Sequence, residues 1–148
     1  MPAQSVLEEL TRDDLTDDHV RRRVADWVQR IETLYEAVES WLPSGWAAKR
    51  GALVTMHEKV MESKRVPAQQ LPTLELVREG IVRARLRPYG LWIVGTNGRI
   101  DLVKGGERYL VLDHSGAFEA PDWQVASANA RRNSRPFNSV WLQALLTE

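Results

Sequence analysis

The 148-residue sequence contains no cysteine, which excludes disulfides and thiolate metal sites and is typical of a protein of the reducing cytoplasm. It has no apolar run long enough to cross a bilayer, and its polar, acidic first residues do not resemble a signal peptide. A glycine-rich phosphate loop, a zinc-ligand spacing and a nucleophile–base pair are missing too. These absences favour a cytoplasmic protein that does not enter membranes and works without catalysis or a cofactor.

Neither positive nor negative charge is in excess, because 20 basic and 20 acidic residues give a formal net charge of zero. The charges are unevenly spread: residues 1–42 hold five arginines against ten acids, and the remainder holds fifteen basic residues against ten acids. Such asymmetry arises when two parts of one fold attract each other, or when the basic part meets an anionic partner.

The patterns that are present predict one α+β domain over residues 1–148. We expect a helical N-terminal part at 1–45, an antiparallel sheet of about five or six strands at 72–127, and a short C-terminal helix at 138–148. The long N-terminal helix is expected to pack on the sheet.

Residues 17–41 carry the clearest helical pattern. Ser5 and Glu8 have the spacing of a capping box ahead of a short first helix, and Thr16 or Asp17 caps the long one. The apolar residues of the long helix recur at alternating spacings of four and three, which predicts one apolar stripe. Either this stripe covers the domain's own sheet, or it joins two copies in a homodimer. The self-association candidates are Val24, Trp27, Ile31, Leu34, Val38 and Trp41.

Residues 46–65 are ambiguous. Leu53, Met56 and Val60 fit a helical stripe, whereas Gly51 and the β-favouring residues 53–55 weaken that prediction. An extended connection between Pro67 and Pro72 should then lead into the sheet.

Residues 74–77 and 82–86 predict a hairpin around a turn at 79–80. Matching the apolar residues of its two strands places Glu75 opposite Arg85 and requires an odd loop. It also sets Arg83, Arg85 and Arg87 in a row on the other face. This row is either a solvated strand face with cross-strand ion pairs or a binding site for phosphates or an acidic partner.

Residues 91–113 predict a three-stranded meander at the centre of the sheet, because Asn97-Gly98 is a strong hairpin signal between apolar runs. A three-residue loop at 105–107 collects the aliphatic residues on one face. This register pairs Leu102 with Leu110, and it places Asp101 and Asp113 together on the opposite face.

The C-terminal part predicts one more short strand at 124–126, a polar loop at 127–138 and a final helix capped by Asn138 or Ser139. The expected apolar face of that helix comprises Val140, Trp141, Ala144 and Leu145. The loop carries a second group of basic binding candidates, namely Arg131, Arg132 and Arg135.

The stretch GRIDLVKGGERYLVLDHS resembles the metal-binding core of the restriction-endonuclease-like PD-(D/E)xK nucleases. The resemblance implies that Asp101 and Asp113 are the two metal-binding acids, with Mg²⁺ or Mn²⁺ as the cofactor. Glu58 or Glu62 could be the glutamate that such enzymes place upstream. The family's lysine position is occupied by Ser115, a departure that would remove the charge that stabilises the transition state.

The leading functional prediction is a non-catalytic cytoplasmic binding or regulatory module that acts through protein contacts and as a possible homodimer. One alternative is a divergent or inactive metal-dependent nuclease built on Asp101 and Asp113. The other is a nucleic-acid-binding module that uses the basic strand at 83–87 and the basic loop at 131–135.

Overall fold

A computed structural model describes residues 16–148 and has the α+β architecture that the sequence predicts. Helix α1 (Asp17–Trp41) precedes a sheet of seven antiparallel strands, each hydrogen-bonded to the next one along the chain. The strands are β1 (Trp46–Met56), β2 (Gln69–Arg78), β3 (Ile81–Gly90), β4 (Arg99–Lys104), β5 (Glu107–Asp113), β6 (Trp123–Ser127) and β7 (Arg135–Pro136). Short helix α2 (Lys59–Ser63) follows β1, and α3 (Ser139–Leu146) ends the chain. No helix within residues 16–148 is long and apolar enough to cross a membrane.

Helix α1 begins as predicted, because the Thr16 side chain accepts a hydrogen bond from the His19 amide at 3.0 Å. The capping box predicted at Ser5 and Glu8 lies outside the described residues. The apolar stripe of α1 is core: Val20, Val24, Trp27, Ile31, Leu34, Tyr35 and Val38 are all buried within this one chain.

Of the two alternatives for this stripe, the structure shows the one in which it covers the domain's own sheet. Five of its six candidate residues already contact the protein's own core, and only Trp41 is partly exposed. The side of the sheet that receives them, called here the inner face, is lined by aliphatic residues of five strands. These are Leu74, Leu76, Ala84, Leu86, Ile100, Leu102, Val111 and Val125. Alternation with period two leaves the other side, the outer face, turned away from α1.

Residues 46–65, which the sequence left ambiguous, form a strand over their first half, where the chain is β1, and are helical only at Lys59–Ser63. The β-favouring residues pair with β2, for example Val54 with Leu71 and Lys49 with Glu75. This pairing starts the sheet at Trp46, well before the predicted residue 72.

The predicted hairpin at 74–86 is confirmed, since Leu74 pairs with Leu86, Glu75 with Arg85 and Leu76 with Ala84. Matching the apolar residues of the two strands required one extra residue in the hairpin. This extra residue is not in the turn, which has two residues. It is Arg83, which is left without a partner at a shift of register between β2 and β3.

The first predicted hairpin of the meander is wrong. Residues 91–98 form an irregular connection, and β4 pairs instead with β3, for example Asp101 with Arg87. The amides of Leu91 and Trp92 donate to the Glu58 carboxylate at 3.0 and 3.2 Å, so a side chain takes the place of a strand partner. The Asn97-Gly98 segment lies against the end of β5, where the Asn97 amide donates to the Asp113 carbonyl at 2.7 Å.

The register predicted for the second hairpin is wrong by one residue. The loop has two residues, Gly105 and Gly106, so that Leu102 pairs with Tyr109 and Asp101 with Leu110. Leu110 consequently lies on the outer face, while Val111 joins the core. The aspartates of these two strands both have arginine partners: Asp101 binds Arg99, and Asp113 binds Arg30.

The C-terminal part has the predicted strand, β6, and a two-residue strand, β7, that was not predicted. Asn138 caps α3 by accepting a hydrogen bond from the Trp141 amide at 3.0 Å. The buried face of α3 is formed by Leu142, Leu145 and Leu146. The predicted face is wrong at Val140, whose side chain is 76% exposed, and at Ala144, which is exposed as well.

Gly98 is expected to be far less tolerant of a side chain than Gly105, although both have positive φ, +119° and +59°. A β-carbon on Gly98 would lie 2.2 Å from Cζ3 of Trp27, whereas one on Gly105 would meet nothing within 4 Å. Gly105→Ala should lower the free energy of unfolding by about 1 kcal/mol through backbone strain alone. Gly98→Ala should lower it by about 3 kcal/mol or more, because overpacking adds to the strain. Urea denaturation measures both, and equal losses would contradict the Trp27 contact.

Candidate binding surfaces

The outer face of the sheet carries the arginines predicted from the hairpin. Arg83, Arg85 and Arg87 are exposed, and they alternate along β3 with residues that are buried or partly buried. Successive arginines on one face of a strand lie roughly 7 Å apart. The sheet ladder fixes the backbones of Arg85 and Arg87, and Arg83 lies at the register shift next to them, so the row lies on the exposed face as the sequence predicted.

Only one of the three has a carboxylate partner within 4 Å among residues 16–148. Arg85 Nε lies 3.2 Å from Glu75 Oε2, and Lys49 Nζ lies 3.7 Å from the other oxygen of the same carboxylate. Arg83 and Arg87 form no such pair within the described part of the chain. Two exposed guanidinium groups are therefore available to a ligand without first breaking an ion pair.

The carboxylate nearest to Arg87 across the strands, Asp101, is occupied by Arg99. Arg99 Nε donates to Asp101 Oδ1 at 2.7 Å, and its Nη2 donates to Oδ2 at 3.2 Å. The same guanidinium stacks on the Tyr89 ring at 3.8 Å from its centroid. Tyr89 is 55% exposed, so an aromatic side chain lies at the end of the arginine row.

The second predicted basic group lies elsewhere. Arg131, Arg132 and Arg135 are exposed, in the turn after β6 and on β7. Arg135 pairs with Val125, a core residue, so its position in the register belongs to the helix side of the sheet. Strand β7 is also four strands from β3, about 19 Å at the usual spacing. The two basic groups do not form one continuous surface.

The predicted placement of Asp101 and Asp113 on one face is wrong. Asp101 is opposite Leu110 on the outer face, and Asp113, three residues further along β5, faces α1. The Asp113 carboxylate is fully buried, and it accepts hydrogen bonds from the Ser115 and Asp122 amides at 2.9 Å. No group of three metal-ligating side chains occurs within residues 16–148. The two aspartates cannot meet at one cation in this fold.

A buried polar network around Arg30 was not predicted. Arg30 Nη1 lies 2.9 Å from Asp113 Oδ2, and Arg30 Nε lies 2.5 Å from Asp26 Oδ2. The guanidinium also donates to the Ser115 hydroxyl and to the Glu119 carbonyl. In the sequence, Arg30 lies next to the stripe residue Ile31 and looks like the other arginines of α1. Only its ion pair with Asp113 of β5 distinguishes it from them.

Arg23 extends this network by two turns of α1. Its Nη2 donates to Asn97 Oδ1 at 2.9 Å, and its guanidinium lies 5.6 Å from the Trp92 ring centroid. Burial lowers the pKa of Arg23 from its ordinary value. Together, Arg23 and Arg30 attach the 91–98 connection and the 114–122 loop to the helix. The network therefore fixes loops, while the exposed arginines of β3 are the groups that face solvent.

Comparison with known proteins identifies no relative, since no family, no curated protein and no solved structure matches this chain. Any functional conclusion must therefore rest on the charges and geometry of the two surfaces described above.

Removal of the buried arginine is expected to destabilise the protein far more than removal of an exposed one. Arg30→Ala leaves the Asp113 carboxylate buried without its charged partner, which should cost about 3–5 kcal/mol in the free energy of unfolding. Arg85→Ala breaks an ion pair whose arginine is 59% exposed and should cost less than about 1 kcal/mol. Urea denaturation compares the two variants, and similar small losses would contradict a structural role for Arg30.

Magnesium and manganese are expected to leave the melting temperature unchanged at millimolar concentration, because no site holds both aspartates and a bound ion would stabilise the native state. Differential scanning fluorimetry with each metal measures this. A rise in melting temperature that Asp101→Asn or Asp113→Asn removes would contradict the placement of these residues on opposite faces.

Proposed function

We propose that the protein is a non-catalytic cytoplasmic binding module that holds an acidic protein segment on the outer face of its sheet. The observation that carries this proposal is the pair of exposed arginines, Arg83 and Arg87, that have no carboxylate partner among the described residues. The neighbouring acids, Glu75 and Asp101, are already paired with Arg85 and Arg99. A partner that brings its own carboxylates would complete the charge pairing of this face.

The composition of the surrounding surface supports a protein partner. Tyr89 and Val103 are exposed beside the arginines, and protein interfaces are enriched in arginine and aromatic residues around apolar contacts. The backbone of β3 is held between β2 and β4, so little loop ordering would oppose binding. Absence of cysteine is what supports the cytoplasmic location.

Nucleic acid is a less suitable partner for the same face. A phosphate backbone laid across these strands would meet the carboxylates of Glu75 and Asp101 among the arginines. The other basic group, at 131–135, lies too far around the sheet to continue the track. These two features favour a partner whose negative charges are spaced and mixed with apolar groups.

Charge reversal on β3 tests the proposal. The probe is a fluorescein-labelled peptide of about 12 residues in which glutamates alternate with leucines, and anisotropy measures its binding at low and physiological salt. Arg83→Glu combined with Arg87→Glu should weaken binding by at least about tenfold, because two attractive pairs become repulsive. Arg131→Glu combined with Arg132→Glu makes the same charge change elsewhere and should leave the affinity nearly unchanged.

Two results would overturn the proposal. The first is equal affinity of the wild type for the acidic peptide and for a copy with glutamine in place of every glutamate. The second is tighter binding of a single-stranded oligonucleotide, with a steep loss of affinity as salt rises, which would assign the face to phosphates instead.

A further inference from the structure

Strand β1 lies at the edge of the sheet, with β2 on one side and no described strand on the other. It is 11 residues long, and Met56 is its only buried residue. In an antiparallel strand, alternate residues direct their N–H and C=O groups to opposite sides, so about five residues of β1 present unpaired backbone groups at this edge. A long strand with an open edge is a template for another strand.

The two edges of the sheet differ. Strand β7, at the far edge, has only two residues, and one of them is Pro136, which has no N–H to donate. Shortness and proline are two of the devices by which natural sheets prevent pairing at an edge. Strand β1 has neither device, since it is the longest strand of the sheet and contains no proline.

Both basic side chains of β1 that lie near the register shift have a carboxylate within 4 Å in their own chain. Lys49 lies beside Glu75 on the outer face, 3.7 Å from the carboxylate. Arg50 turns to the inner face, where it pairs with Glu32 at 2.7 Å and lies over the Tyr35 ring at 5.1 Å from the centroid. Neither side chain leaves an unpaired charge to repel a strand approaching in the plane of the sheet.

A shift of register within β1 determines how the edge could pair with itself. Arg50 pairs with Leu74 and Leu53 with Pro72, so residues 51 and 52 together oppose Thr73. Because of this extra residue, Lys49 shares the outer face with Val54, and Arg50 shares the inner face with Leu53.

Opposed residues in a sheet must lie on the same face. Two copies of β1 can therefore pair about a twofold axis that passes between residues 51 and 52. In this arrangement Lys49 lies opposite Val54 of the second copy, and Arg50 lies opposite Leu53 of the second copy. No like charges face each other, and the Leu53 side chain, 63% exposed, gains an apolar neighbour in the stem of Arg50.

We infer that β1 is a self-association edge, where two copies of this chain pair antiparallel about a twofold axis at residues 51–52. The two seven-stranded sheets become one continuous sheet of fourteen strands. This interface uses backbone groups and the edge residues of β1, and it leaves α1 in the core and the arginines of β3 exposed.

Sedimentation velocity over a range of micromolar concentrations tests the inference with a matched pair of variants. The wild type should form a dimer. Leu53→Lys places a lysine opposite Arg50 of the second copy, twice per dimer, and should raise the dimer dissociation constant by about tenfold or more. Leu53→Glu places a carboxylate at the same position and should keep the dimer. Since Leu53 is mostly exposed, both variants should retain the melting temperature of the wild type.

Each alternative result overturns the inference. A wild type that is monomeric at every concentration excludes self-pairing and leaves the edge to a different strand. A dimer that both variants weaken equally contradicts the register, and a dimer that neither variant weakens lies elsewhere on the molecule. Hydrogen exchange of the wild type adds a readout that needs no variant: amides of β1 should gain protection as the protein concentration rises.

Discussion

The two-residue turn at Gly105–Gly106 determines which side of the sheet every residue of β5 faces, because β4 is already fixed by its pairing with β3. A loop longer by one residue would turn Asp113 away from α1 and bring Leu110 and Leu112 into the core. With the observed turn, Asp113 faces the helix and is held by Arg30, while Asp101 faces outward and is held by Arg99. This register therefore determines that β5 contributes Asp113 to the buried contact with α1, while the arginine face of β3 is set by its pairing with β2 and β4.

The two faces use the same chemical pair in different ways. On the inner side, the arginine–aspartate pair is fully enclosed, and it joins the helix, a strand end and a loop that are far apart in sequence. On the outer side, the Arg99–Asp101 pair is also buried, whereas the pairs of Lys49 and Arg85 with Glu75 have largely exposed cations and each contributes little to stability. Their effect is to occupy the local carboxylates, so that Arg83 and Arg87 have no carboxylate partner among the described residues.

Local patterns in the sequence predicted the elements better than their pairing. The α1 stripe, the hairpin at 74–86, the cap at Asn138 and the arginine row of β3 follow from periodicity and turn chemistry, which nearby residues determine. The register of β4 and β5 could not be found in this way, because it depends on Arg30, 83 residues before Asp113. Strand β1 was not predicted because its apolar residues fit both a helical and a strand period. Only the pairing with β2 shows that the segment is a strand.

The prediction for residues 91–96 failed for a related reason. Asn97-Gly98 signals a turn, but Glu58 from a different element satisfies the backbone amides that a hairpin would have paired. For the candidate site, the alternation of side chains along the strand placed the three arginines on the correct face. It could not show which neighbouring acids already form ion pairs with other arginines. That distinction requires the partners of Asp101 and Glu75, which only the assembled sheet provides.

The order of the strands has a consequence for how the chain folds as it is synthesised. Each strand pairs with the one made just before it, so the sheet can grow hairpin by hairpin. Helix α1 is made before all seven strands but rests on strands as late as β6, and at about 5–20 residues per second its apolar stripe must wait several seconds for them. Docking of α1 thus closes a long loop, and we expect it to be the slowest event in folding. The nascent chain is most vulnerable to aggregation in that interval, while the helix is complete and its covering sheet is not.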